Sequence, residues 1–185
     1  MRAALAVPDD FDRTLARARD GDPVAFAALV RRHQDMVFSL ALHALRNRAA
    51  AEDLTQEVFL QLYRHLARIE SAGHLMAWLR RVASHRCIDE LRRLPRRMEV
   101  AVDALPDRPG PASASEVFLD RRLRVLIGRL PAGARMVLLL RYQEDLDPSE
   151  IADTLNMPVN TVKSHLRRSL AVLRAQVTRE PNHEP

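Results

Sequence analysis

One stretch divides the chain more sharply than any other. Residues 94–116, with the sequence LPRRMEVAVDALPDRPGPASASE, place prolines and Gly110 among small side chains. Prolines interrupt helices, and small side chains bury too little surface to pack one. We therefore predict a flexible, proline-rich linker over residues 96–115. It separates an N-terminal domain at residues 10–95 from a C-terminal domain at residues 116–177.

Both domains are predicted to be helical, so the fold class is all-α. Apolar residues recur at three- and four-residue intervals on both sides of the linker. Asp22 followed by Pro23 is typical of a helix start, and further helices are predicted at about residues 50–66 and 75–94. The low aromatic content of 4% and the 47% of hydrophobic residues fit two small helical domains.

The run DPSEIADTLNMPVNTVKSHLRR predicts a helix-turn-helix in the second domain. Asp147 can cap a helix while Glu150 reaches back to the cap amide. Ala152 is small enough for a helix crossing, and Asn156 tolerates the positive backbone angle of a tight turn. Val159 and Val162 then close the core between the two helices.

The second helix of this motif has a basic outer face. There is no acidic residue from Asn156 to Arg179, and the chain carries a net charge of +5. Such a helix fits the major groove of duplex DNA, although a solvated helix of a small bundle is the plainer alternative. The residues expected to point outward are Asn160, Thr161, Lys163, Ser164, Arg167 and Arg168.

The helix predicted at residues 50–66 has a different outer face. Asp53, Glu57, Leu60 and Arg64 share one side by their spacing, and a leucine among charges suggests docking to a partner helix. A solvated face with one tolerated leucine is equally compatible with this pattern.

The helix predicted at residues 75–94 is rich in arginine, and the preceding ARIESAGH is predicted to be a loop. A basic helix beside a loop can hold single-stranded nucleic acid, with an unstacked base captured by the loop. Trp78 is interpreted as core rather than as a stacking platform, and Cys87 as a buried apolar residue rather than a nucleophile.

Four segments of this sequence together resemble a known family. They are DPVAFAALVRRHQDMVFSLALHAL, AEDLTQEVFLQLYRHL, AWLRRVASHRCIDELRR and LPAGARMVLLLRYQEDLDPSEIADTLNMPVNTVKSHLRRSLAVLR. In this order they look like the extracytoplasmic-function (ECF) sigma factors, two-domain initiation factors of bacterial RNA polymerase. The resemblance covers almost the whole chain outside the termini and the linker.

The resemblance implies a role for each outer face. The polymerase-binding residues, which would dock on the clamp helices of the largest polymerase subunit, are Asp53, Gln56, Glu57 and Leu60. The residues that would read and open the minus-ten promoter element are Arg68, Ser71, His74, Arg81, His85 and Arg86, in a loop from Arg68 to His74 and the following helix. The minus-thirty-five element would be read as duplex by Asn160, Thr161, Lys163, Ser164, Arg167 and Arg168.

The chain departs from the family pattern at three positions. His85 stands where asparagine is usual, so the preferred minus-ten base does not carry over. Asn160 occupies a position that is often glycine and is expected to be able to cap the recognition helix. His165 stands where arginine is frequent. These changes bear on sequence preference more than on mechanism.

Other classes of function fit less well. The seven histidines are scattered, without metal-ligand spacing, a phosphate-binding loop or a nucleophile motif, so we expect no catalytic residues, metal or cofactor. A stand-alone helix-turn-helix regulator remains the main alternative. A single cysteine and the absence of an export or membrane-spanning segment favour the cytoplasm. The family also implies an anti-sigma factor as a partner, beside promoter DNA and core polymerase.

Overall fold

A computed structural model describes residues 10–93, 123 and 125–178 of the chain. Within these ranges the secondary structure is entirely helical, with short turns between the helices. The predicted all-α fold class is therefore confirmed. The linker predicted at residues 96–115 lies outside the described residues, so the structure does not test it.

Four helices and one short 3-10 turn form the N-terminal domain. They are α1 (Asp10–Arg19), α2 (Pro23–Leu45), α3 (Arg48–His65), the 3-10 turn (Leu66–Arg68) and α4 (Ala72–Arg93). The helices predicted at residues 50–66 and 75–94 correspond to α3 and α4, with ends that differ by one to three residues.

The start of α2 follows from its first residues. The carboxylate of Asp22 accepts hydrogen bonds from the backbone amides of Val24 at 2.8 Å and Ala25 at 3.2 Å, and Pro23 occupies the first helical turn. These amides have no partner within the helix, so the cap satisfies them. A carboxylate that accepts several hydrogen bonds favours its charged form, and the bond from Arg17 together with the two amides lowers the pKa of Asp22.

In the described part of the C-terminal domain, a helical segment at residues 125–128 precedes three helices. They are α5 (Ala132–Tyr142), α6 (Pro148–Leu155) and α7 (Val159–Thr178). Asp147 and Glu150 form the predicted capping box at the start of α6. Asn156 ends α6 at φ 50° and ψ 52°, which is the left-handed conformation that the tight turn requires. The helix-turn-helix geometry is therefore confirmed.

The two domains share one apolar core in this structure. Leu40 and Leu79 from the N-terminal domain are fully buried, as are Met136, Leu140 and Ile151 from the C-terminal domain. All five belong to a single connected cluster of buried side chains. Helix α4 packs against both α5 and α6, and α2 also contacts α5. The described residues on the two sides of the predicted linker therefore lie against each other.

Candidate docking and nucleic-acid interfaces

The outer face of α3 carries the residues predicted to bind a protein. Asp53, Gln56 and Glu57 are exposed, and Leu60 leaves 61% of its surface accessible. The opposite side of the helix, which includes Val58 and the other leucines, is buried. An exposed leucine beside carboxylates gives this face an apolar contact with an acidic border, a pattern suited to a partner with apolar and basic side chains.

Tyr63 extends this face, although it is not among the predicted docking residues. It lies three positions after Leu60, is also 61% exposed, and its ring stands edge-on to Phe26 with centroids 5.2 Å apart. Residues three apart share a helix face, so the spacing alone identifies it as a neighbour of Leu60. We call Asp53, Gln56, Glu57, Leu60 and Tyr63 the α3 face.

A groove between α3 and α4 borders the α3 face. Asp53, Glu57, Arg86 and Asp89 are among its lining residues. Within it, Nη2 of Arg86 lies 2.5 Å from a carboxylate oxygen of Glu57. Arg86 is among the residues predicted to read the minus-ten element, but its guanidinium faces α3 and borders the predicted polymerase-binding residues. The structure thus separates it from Arg81 and from the start of α4.

The predicted loop from Arg68 to His74 is wrong in its extent. Arg68 closes the 3-10 turn and His74 lies in the first turn of α4, which leaves three residues between the two elements. The side chain of Ile69 is fully buried and anchors this connection to the core. Ser71 acts as the local cap, since its hydroxyl accepts a hydrogen bond from the amide of His74 at 3.2 Å. A buried isoleucine and a serine cap hold the backbone where a loop was expected.

The residues predicted to meet the minus-ten element fall into separate groups, one just before and at the start of α4 and the others further along it. Arg68, Ser71 and His74 are exposed together at its start. Arg81 is exposed further along, and its Nη2 donates to the backbone carbonyl of Asp153 in the C-terminal domain at 2.8 Å. His85, one turn after Arg81 on the same side, is half-buried. The first group is open to a ligand, whereas Arg81 is engaged by the other domain.

The outer face of α7 is basic, as predicted. Asn160, Lys163, Arg167 and Arg168 are exposed, Thr161 and Ser164 are half-buried, and Val162 is fully buried against α6. We call these six exposed or half-buried residues the α7 face. The predicted cap at Asn160 is wrong, because α7 already begins at Val159 and the carbonyl of Pro158 accepts from the amide of Thr161 at 2.8 Å. Asn160 is therefore a helical residue with its side chain free to point outward.

Trp78 and Cys87 have the structural roles that were predicted. Trp78 is half-buried against the core, and the centroid of its ring lies 5.8 Å from that of His65. Cys87 is fully buried, and burial raises the pKa of its thiol to about 12. A thiol with such a pKa stays protonated at neutral pH, which makes it a poor nucleophile. Within the described ranges, no cluster of histidine, cysteine and carboxylate side chains has the arrangement of a metal site.

Comparison with known proteins identifies both domains. Residues 29–97 match the family model for sigma-70 region 2, and residues 120–173 match the model for sigma-70 region 4. The chain is 31% identical over 180 residues to the ECF RNA polymerase sigma factor SigK of Mycobacterium sp. (strain KMS), covering 91% of both chains. It is 28% identical to the ECF RNA polymerase sigma factor SigW of Bacillus subtilis, covering 89% of this chain and 95% of the relative.

The chain belongs to the ECF family of sigma factors. The fold agrees with a solved structure of CnrH in complex with the cytosolic domain of CnrY, with a TM-score of 0.66 and 24% identity, covering 93% of this chain and all of that one. ECF sigma factors are promoter-specific initiation factors of transcription and form a non-enzymatic family. The match of the N-terminal domain to region 2 disfavours the stand-alone regulator. No helix in the described ranges is long and apolar enough to cross a membrane.

Proposed function

We propose that this sigma factor divides its work between two helix faces, with the α3 face binding core RNA polymerase and the α7 face reading the minus-thirty-five element. The coexistence of an exposed apolar and acidic face with an acid-free basic face in one sigma factor carries the proposal. Each face has side chains that suit its proposed partner, and neither face is buried in the core of its own domain.

The α3 face fits a protein partner because of Leu60. Binding interfaces gain most of their free energy from a few apolar or aromatic residues at the centre, surrounded by polar ones. Leu60 and Tyr63 supply the centre, and Asp53, Gln56 and Glu57 supply the border. The occupant we propose is the pair of clamp helices of the largest polymerase subunit.

The α7 face fits duplex DNA. Lys163, Arg167 and Arg168 project from a helix with no acidic side chain, so the phosphates meet no repulsion. Arg and Lys can reach the guanine edges in the major groove, while Asn160 and Ser164 can donate to bases or phosphates. In the helix-turn-helix, α6 lies across α7 and supports it.

The minus-ten element is proposed to bind along the start of α4, at Arg68, Ser71 and His74, and to continue toward Arg81 and His85. Strand opening needs no catalytic group, because unstacked bases that are trapped by stacking and hydrogen bonds offset the cost of unpairing. Arg86 would take part after its ion pair with Glu57 rearranges.

The domain limits follow from these roles. Residues 10–95 would dock on polymerase and open the minus-ten element, residues 116–177 would read the minus-thirty-five element, and residues 96–115 would link them. Two weak DNA contacts held on one polymerase act at a high effective concentration, so the assembly binds a promoter far better than the free protein. Its partners place this work in the cytoplasm.

An anti-sigma factor is the further partner that we propose. CnrH, whose fold this chain shares, was solved together with the cytosolic domain of CnrY. The exposed Leu60 and Tyr63 also offer such a protein a place to bind in competition with polymerase.

Run-off transcription on a pool of genomic promoter fragments tests the proposal. Bacterial core polymerase is supplied with and without the protein, and each active promoter is then tested with either element scrambled. We expect transcripts that need both proteins and both elements. Transcripts that survive loss of the upstream element in every promoter would contradict the role given to the α7 face.

A further inference from the structure

The side chain of Arg86 crosses from α4 to the outer edge of α3. Its Nη2 lies 2.5 Å from Oε1 of Glu57. The amide of Gln61 is satisfied when its oxygen points toward α4, where it accepts hydrogen bonds from Nε of Arg86 at 3.0 Å and also from Nη2. One guanidinium therefore binds two residues of α3 that lie about one helical turn apart. We call these contacts the Arg86 bridge.

The packing of α4 gives Arg86 this direction. Ala83 and Cys87 are fully buried. Position 86 follows Ala83 by one turn and precedes Cys87, so it lies at the edge of the buried side of α4, which packs on α3. The side chain of Arg86 is 35% exposed and that of Glu57 is 50% exposed. Water still screens the charges of the bridge, so it contributes little to the stability of the fold.

The Arg86 bridge borders the centre of the α3 face. Glu57 belongs to this face, and Gln61 directly follows the exposed Leu60. A glutamate on a helix surface samples several rotamers, and ordering it when a partner binds costs conformational entropy. Arg86 reduces that cost, because it already holds the Glu57 carboxylate in one place in the free protein.

Glu57 can bind a partner while the bridge is intact. A carboxylate accepts hydrogen bonds on both oxygens, and the closest contact of Arg86 is to Oε1, so Oε2 can accept from another donor. Carboxylates outnumber cations in the groove beside it, which favours a basic side chain from the partner. The charged residues that line the groove are Asp53, Glu57, Asp89, Glu90, Arg86 and Arg93.

We propose that Arg86 is a positioning residue of the polymerase-binding surface, which holds Glu57 in the orientation that receives a basic side chain of core polymerase. The proposal rests on the proposed function in one respect, namely that the α3 face binds polymerase. The DNA contact given to Arg86 above requires the bridge to open. The two roles therefore belong to different steps, and the bridge acts first, when polymerase is bound.

Titration of the labelled full-length protein with bacterial core polymerase tests this role. Arg86→Gln removes the ion pair and should weaken polymerase binding about three- to tenfold, as expected when one ordered side chain becomes mobile. The matched control is Arg93→Gln, because Arg93 lines the same groove but contacts Glu90 on its own helix, at 3.8 Å. We expect no weakening in this control.

The sign of the effect separates positioning from charge. Both variants remove one positive charge from a surface with a basic partner, so charge alone would strengthen polymerase binding in both. Positioning predicts weaker binding for Arg86→Gln alone. Equal binding by the two variants, or tighter binding by Arg86→Gln than by the parent chain, would overturn the proposal.

A charge swap separates positioning from stability. Glu57→Arg combined with Arg86→Glu restores opposite charges between α3 and α4, so thermal unfolding should match that of the parent chain. Polymerase binding should remain at least as weak as in Arg86→Gln, because a cation now occupies the position that needs a carboxylate. Parent-level polymerase binding by the swapped protein would mean that the bridge is only structural and would overturn the proposal.

Arg86→Lys is the milder variant if Arg86→Gln fails to fold by circular dichroism. An ammonium can pair with Glu57 but cannot reproduce the planar contact with two residues, so polymerase binding should be weaker than in the parent chain. In that case, parent-level binding by folded Arg86→Lys would overturn the positioning role.

Two further results distinguish this proposal from the function on which it rests. Leu60→Arg is titrated in parallel, and if it weakens polymerase binding while Arg86→Gln does not, only the positioning role is wrong. If neither variant weakens binding, the docking role of the α3 face fails and the positioning role fails with it. Promoter opening is then measured at saturating polymerase, and a defect of Arg86→Gln confined to that step would assign Arg86 to DNA alone and overturn the proposal.

Discussion

Helices α3 and α7 are similar in length and each buries one side in its own domain, yet their outer faces differ in kind. The α3 face exposes Leu60 and Tyr63 among carboxylates, whereas the α7 face exposes cations and small polar groups. Burial of apolar groups against a protein partner is favourable, whereas the negative phosphates of DNA attract positively charged side chains. The difference supports the proposal that α3 binds a protein and α7 binds a nucleic acid.

The largest expected effect comes from Leu60→Arg. A charged side chain at the centre of the α3 face should weaken binding to core polymerase at least tenfold, or about 1.4 kcal/mol. Titration of labelled protein with core polymerase measures this loss. Tyr142→Arg is the matched control, since Tyr142 is a similarly exposed apolar residue on α5. If both variants weaken polymerase binding equally, or if neither weakens it, the α3 face is not distinct from the remaining surface.

Removal of two cations from α7 should have the opposite profile. In Lys163→Ala combined with Arg167→Ala, use of the minus-thirty-five element should fall about tenfold or more, because a good base contact is worth roughly 1–3 kcal/mol. Transcription from promoters with intact or scrambled upstream elements measures the change. The control combines Arg13→Ala with Arg31→Ala, which removes the same charge from exposed positions on α1 and α2. A loss of polymerase binding in the α7 variant would contradict the division of labour.

The turn before α7 gives a smaller effect that separates geometry from charge. Asn156 has φ 50°, so Asn156→Val should destabilise the C-terminal domain by about 1–2 kcal/mol, while Asn156→Gly should be nearly neutral. Thermal unfolding of both variants measures this. If valine is as well tolerated as glycine, the turn does not impose the conformation described here.

The smallest effect is a pH dependence in the N-terminal domain. His33 is buried beside Phe11, and desolvation, with a contribution from Arg32, lowers its pKa below the ordinary value of 6.5. The unfolded chain therefore binds a proton more readily, and the free energy of unfolding should decrease as the pH falls below 6.5. His33→Leu should reduce this slope. Melting curves of the parent chain and of His33→Leu between pH 7.5 and 5.5 test this prediction. If stability changes with pH equally in both proteins, His33 does not cause the dependence.

The fold was largely predictable from the sequence because its signals are local. The cap at Asp22, the capping box at Asp147 and the αL residue Asn156 each act through bonds within a few residues. The contacts between domains were not predictable, since Arg80 and Glu144 are 64 positions apart and nothing in either segment marks the other. The start of α4 was predicted to be a loop because no regular spacing of apolar residues marks it in the sequence. Without that spacing, neither the cap at Ser71 nor the buried side chain of Ile69 stands out.

The candidate site shows the same limit. Residue type and helical spacing identified the faces of α3 and α7, and Tyr63 could have been added by the same spacing rule. The position of Arg86 could not, because its ion pair with Glu57 depends on how α3 and α4 pack. The outer face of a helix can be predicted from the spacing of residues within that helix. The partner of a long side chain also depends on how a second helix packs against it.

Photo-crosslinking in the transcription-initiation complex tests the division between the two faces most directly. A photoreactive amino acid replaces either Leu60 or Lys163, and core polymerase and a promoter found by run-off transcription are added before irradiation. We expect the probe at position 60 to attach to the largest polymerase subunit and the probe at position 163 to attach to the upstream duplex. Attachment of position 60 to DNA, or of position 163 to the largest subunit alone, would contradict the account.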